Sequence, residues 1–66
     1  MAVVKVIEVI AESAKGWEDA TQLAVTEASR SVRNIKSVYV KEMQAIVEQD
    51  RIVNYRVDVK ISFLVE

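Results

Sequence analysis

From residue 52 to 65 apolar and polar positions alternate. Val53, Tyr55, Val57, Val59, Ile61, Phe63 and Val65 share one parity, and Asn54, Arg56, Asp58, Lys60, Ser62 and Leu64 the other. Successive side chains of a strand point to opposite faces, so a period of two predicts a β-strand with one apolar face. At ~3.3 Å per residue this strand would run roughly 45 Å, far beyond the usual length of about five or six residues. Residues 3–11 form a second β-branched run, in which Val3, Val4, Val6, Ile7, Val9 and Ile10 are interrupted only by Lys5 and Glu8. Both parities are largely apolar there, the composition of a strand covered on both sides.

Between these two runs the period changes. Trp17, Ala20, Ala24, Ala28 and Val32 recur at spacings of three and four, with Leu23 and Val25 widening the stripe. That spacing predicts a helix over residues 14–32, its narrow alanine face suited to close approach to a sheet. Ser13 is placed to cap its N-terminus, and Glu18 and Asp19 complement the positive end of the dipole. Arg30 and Arg33 fall near the negative end, and Asn34 has the side chain that tolerates the left-handed conformation ending a helix. Ile35–Glu48 predicts another strand with a break in its pattern: Val38 and Val40 share a parity, whereas Met43, Ala45 and Val47 share the other. Either one extra residue near Lys41–Glu42 makes a β-bulge, or both faces of this strand are covered. Glu48-Gln49-Asp50-Arg51 is short and polar, a hairpin turn without glycine.

The order is therefore β-α-β-β, an α+β fold in a single domain over residues 1–66. One helix lies across a three-stranded antiparallel sheet whose first strand pairs with its last. The helix, ~28 Å long at 1.5 Å per residue for the predicted span, cannot cover ~45 Å strands. Apolar surface left in this way marks protein–protein contact, and closed symmetry buries it without growing fibres. Chain length points to the same need, because 66 residues bury only ~60% of their unfolded surface.

Composition removes whole classes of function. There is no cysteine and no histidine, so disulfides, thiolate nucleophiles and the commonest general base are absent. No glycine-rich phosphate loop is present. Adjacent carboxylates such as Glu18 and Asp19 diverge on a helix, so no acid–base pair is formed there; the chain reads as a non-enzyme. Nine basic and ten acidic residues give a net charge of −1, which provides no field for nucleic acid. No apolar run approaches the ~18 residues of a membrane span, and no signal-peptide pattern opens the chain. Neither membrane nor nucleic acid is expected as a partner, and the expected location is cytoplasmic.

The segments VKVIEVI (residues 4–10), ASRSVRNI (28–35) and NYRVDVKISF (54–63), taken in that order and spacing, resemble the dodecins. These are small β-α-β-β proteins that assemble as hollow dodecamers. The resemblance covers nearly the whole chain and implies a homododecamer with a small-ligand binding, storage or buffering role. Typical members stack flavin on a tryptophan and orient it with a glutamine. Those positions fall on Ser37 and Arg56 here, and the aromatic that follows the tryptophan falls on Val38. Ser37 has no π-face, and Arg56 donates hydrogen bonds without accepting them. Flavin binding of the usual kind is therefore not expected.

The tryptophan after the turn and the Tyr55-Arg56 pair resemble the calcium-dodecin branch, which implies a cation site whose ligands the sequence does not identify. Glu42 matches a carboxylate near the ligand site of flavin-binding members, and Ser37 and Gln44 would line a pocket surviving there. The ligand-binding candidates by resemblance are thus Ser37, Glu42, Gln44 and Arg56. The ligand is either a divalent cation such as calcium or a small anion held by Arg56.

Each candidate also has a structural role to weigh. Glu42 would be a solvated strand residue or pair with Lys41 or Arg56. Arg56 would pair with Asp58 or Glu42. Trp17 would anchor the helix to the sheet or to a neighbouring subunit. Arg30, Arg33 and Lys36 would compensate the helix dipole or, repeated around a symmetry axis, bind phosphate. A flavin-sequestering protein with an altered pocket, or a purely structural assembly that recruits another protein, are the alternatives to the binding and buffering role.

Overall fold

A computed structural model describes residues 2–65. It contains β1 (Val3–Ser13), α1 (Trp17–Ala28), β2 (Ile35–Glu48) and β3 (Arg51–Val65). The sheet order is β1-β3-β2, and both neighbours of β3 run antiparallel to it. The strand with the cleanest alternation is the central one, as the pairing of first and last strands requires. The whole unit is elongated, with extents of 51 × 19 × 13 Å.

The parity of β3 places Val57, Val59 and Ile61 under the helix, all three fully buried. Ala20 and Ala24 of α1 lie against them, with Ile7, Val9, Ala11, Trp17, Ala28, Ile35 and Val38 around the margin. Burying each large aliphatic side chain contributes roughly 1.5–3 kcal/mol. The alanines contribute little area, but they let the helix axis approach the sheet.

The parity break in β2 is a β-bulge. Val40 faces Val59 and Glu42 faces Asp58, which leaves Lys41 as the extra residue. The bulge keeps Val38, Val40, Met43 and Ala45 on the helix side even though their numbering changes parity. The β2–β3 turn has Gln49 at φ 52° and Asp50 at φ 65°. Positive φ at both central residues is the two-residue hairpin geometry that suits strand twist, here adopted without glycine.

The helix is shorter than its sequence pattern, spanning 12 residues rather than the whole of 14–32. Its N-terminal cap is Gly16, at φ 149° and ψ 175°, a conformation that L side chains rarely adopt. Ser13 is not the cap. It is the last residue of β1, and its Oγ accepts a bond from the Lys15 amide at 3.0 Å and donates to Asp19 Oδ2 at 2.5 Å. At the other end, residues 29–31 continue as turns, with bonds such as Arg30 N to Glu27 O at 3.2 Å and Ser31 N to Ala28 O at 2.9 Å.

The last helical turn therefore holds no basic residue, and Arg30, Arg33 and Lys36 do not sit in it. Arg30 pairs loosely with Glu27 at 3.7 Å. Asn34 does take the left-handed conformation, at φ 63°, but in the connection into β2, where its carbonyl accepts the Leu64 amide at 3.1 Å. Among the described residues no helix is long and apolar enough to cross a membrane.

Candidate functional site on the open sheet face

The helix covers one face of the sheet, and the other face carries the chain's polar chemistry. Register sets it in cross-strand rows: Glu12–Arg56–Gln44, then Ile10–Asp58–Glu42, then Glu8–Lys60–Tyr39, then Val6–Ser62–Ser37. Glu42, Gln44 and Arg56 come together with Ile10 and Asp58 around a small pocket of about 90 Å³. Ser37 does not join them. It bonds Ser62, six residues along β3 from Arg56, or about 20 Å at strand rise.

Arg56 pairs with neither Asp58 nor Glu42. Its Nε donates to Glu12 Oε2 at 2.9 Å, Nη2 lies 2.8 Å from the same oxygen in an ion pair, and Nη1 donates to Gln44 Oε1 at 3.4 Å. Glu12 Oε1 in turn accepts from Asn54 Nδ2 at 2.6 Å. Glu12 carried no signal in sequence, because the β-branched run ends at residue 11 and left it in a turn. Two further residues of β1 bring it directly opposite Arg56.

Trp17 anchors the start of the helix to this part of the sheet from the covered side. Its Nε1 donates to the Gln44 carbonyl at 2.9 Å, and its ring meets Tyr55 edge-on at a centroid distance of 4.9 Å. It thus fixes the backbone that carries Gln44 without entering the pocket.

The acidic side of the face is coupled. A hydrogen bond to Glu8, helped by burial, raises the Asp58 carboxyl above its ordinary range. The same hydrogen bond, followed by the Lys41 ammonium, lowers Glu8. Lys41, on the bulge, reaches Glu8 Oε2 at 3.4 Å rather than Glu42, and Glu8 raises its ammonium in turn. Asp58 Oδ1 is buried with no donor. Glu42 is exposed and forms no ion pair among the described residues.

This coupling has a consequence in solution. A raised Asp58 stabilises the fold while it is protonated, and that contribution is lost as pH rises through its folded titration. A lowered Glu8 contributes in the opposite sense, and its share is lost as pH falls through its own folded titration. Asp58→Asn keeps position 58 neutral. It is expected to raise the thermal midpoint at neutral pH, with the gain shrinking towards acid as the native Asp58 protonates. Thermal melts across that range check it; a gain independent of pH would count against the raised Asp58 carboxyl.

Two ligand classes are tested by this geometry. A pocket of about 90 Å³ with no aromatic side chain in its wall offers no seat for a tricyclic ring within one chain. Calcium takes six to eight oxygens at 2.3–2.6 Å, often several from carboxylates. Glu42, Asp58 and the Gln44 amide supply the right donor type, and Asp58 Oδ1 lacks a partner. No group of three or more acidic side chains that would hold a metal is present among the described residues. A single chain therefore supplies part of a calcium shell, to be completed by water or by other copies.

The dodecin family model matches residues 3–66. The calcium dodecin of Mycobacterium tuberculosis is 36% identical over 63 residues, covering 96% of this chain and 89% of that protein. Its crystal structure, described as a calcium-chelating antigen with a novel calcium-binding site, superposes with a TM-score of 0.84 at 34% identity, covering 97% of this chain and 91% of that one. The dodecin of Streptomyces coelicolor superposes with a TM-score of 0.93 at 28% identity, covering 98% and 93% of the two chains.

Proposed function

The chain belongs to the dodecin family, and from that premise we propose that it is a non-enzymatic homododecamer that binds or buffers a small ligand in the cytoplasm, with a divalent cation such as calcium as that ligand. The observation that carries the reading is the wall of the open-face pocket. It presents the carboxylates of Glu42 and Asp58, the Gln44 amide and no aromatic face, and one Asp58 oxygen is buried without a donor. Cation ligands want oxygen of this kind, and flavin wants a ring surface to stack on.

Symmetry supplies what one chain lacks. Copies around an axis repeat each carboxylate, so single residues such as Glu42 become a set. Ser37, about 20 Å from the pocket at strand rise, would contribute only from another copy. Calcium itself would supply charge neutralisation there. The side chains hold and orient it, and no reaction is called for.

A purely structural, partner-recruiting role is the second reading. It is favoured by exposed Val4, Val6, Ile10 and Tyr39 on the same face.

Native mass spectrometry of protein purified without added cofactors should show twelve times the chain mass of 7.5 kDa. Calcium should raise the thermal midpoint and a chelator should reverse it; saturation at 100 times Kd would add about 2.7 kcal/mol. A monomer or dimer would overturn the assembly, and a retained flavin mass would overturn the ligand.

A further inference from the structure

Every nitrogen of the Arg56 guanidinium is engaged. Nε and Nη2 meet the same oxygen of Glu12 at 2.9 and 2.8 Å, and Nη1 meets Gln44 Oε1 at 3.4 Å. Arginine stays charged at all working pH values, and its Nε–Nη2 edge is the geometry that carboxylate and phosphate groups seek. An anion entering the pocket would need that edge, and Glu12 already occupies it. Asn54 holds the other Glu12 oxygen at 2.6 Å, so the carboxylate is tethered from both sides. The remaining acidic groups at the wall, Glu42 and Asp58, repel anions further.

Resting on the reading of this pocket as a ligand site, we propose that Glu12 is its specificity-determining residue: by occupying the Arg56 fork it excludes small oxyanions and leaves the pocket to cations. The pocket volume of about 90 Å³ matches a small ion with its water, given ~30 Å³ per water molecule. The Arg56 and Glu12 side chains are 39% and 37% exposed in the single chain, so the pair adds little to the stability of that fold.

Orthophosphate is the probe, titrated by phosphorus NMR at matched ionic strength against the assembled native protein, E12Q, and E12Q combined with R56Q. The native protein should show no saturable binding. E12Q should gain affinity by about tenfold or more, since it frees a charge-assisted bidentate edge, and the double variant should lose that gain. Native phosphate binding as tight as that of E12Q would overturn the proposal, as would a gain that survives R56Q.

N54A, which loosens Glu12 without removing it, should give a smaller gain in the same direction. It keeps the question answerable if E12Q does not assemble, because no gain in N54A then overturns the role of Glu12. A native protein without any calcium response speaks against the ligand reading. An intact calcium response with no phosphate gain in the variants speaks against Glu12 alone.

Discussion

Val6→Glu is expected to dissociate the assembled protein into small species with the chain's own strand pairing retained. Val6 is 53% exposed and lies on the open face, in the row with Ser62 and Ser37. Val4, at 55%, shares that face of β1, the edge strand. A single chain gives this apolar surface nothing to pack against, so a carboxylate there costs the isolated fold almost nothing. In an assembly that buries the surface, each copy introduces a desolvated charge with no partner, a cost of several kcal/mol per site. Closed symmetry repeats that cost at every equivalent contact. Light scattering after size exclusion would report the loss of mass, and far-ultraviolet circular dichroism the surviving sheet. An unchanged assembly would place the subunit contacts elsewhere on the molecule.

The second large effect lies in the core. Ile61→Ala is expected to destabilise the fold by about 2–5 kcal/mol, the range for removing a buried aliphatic side chain and leaving a cavity. Ile61 is fully buried in the second half of β3, opposite Ile7 on one side and Val38 on the other. A domain of this length has a total stability of only about 3–10 kcal/mol, so the change removes much of it. Val53 shares the parity of Ile61 but is 41% exposed beyond the reach of the helix. Urea titration of both variants checks this, and Val53→Ala should cost under about 1 kcal/mol in it. Equal costs at the two positions would contradict the placement of the core under α1.

These two positions also show how far sequence reasoning reaches. Alternation identified β3, its buried parity and its neighbour β1, because a half-buried central strand constrains every second residue. The change of parity near Lys41–Glu42 was legible for the same reason, but it left a bulge and a strand covered on both faces open, and the register decided for the bulge. The helix ends were not. The alanine stripe continues to Val32, but regular helix stops at Ala28 and residues 29–31 form turns, and periodicity does not report where helical hydrogen bonding stops. Ser13 has the chemistry of a cap, yet extension of β1 placed it in the strand and left the cap to Gly16.

The candidate site divides along the same line. Composition excluded cysteine and histidine chemistry, and the parity of β3 put Arg56 on the open face. Which carboxylate meets Arg56 depended on register, since Glu12 lies 44 residues away in the chain. The sequence alone determined the elements, the buried face of the long strand and the need for a partner surface, because these follow from local periodicity and from the ratio of surface to volume. Only the tertiary structure decided that Glu12 occupies Arg56, that Lys41 reaches Glu8 and that Ser37 stands apart, because each depends on distances between strands that no local pattern encodes.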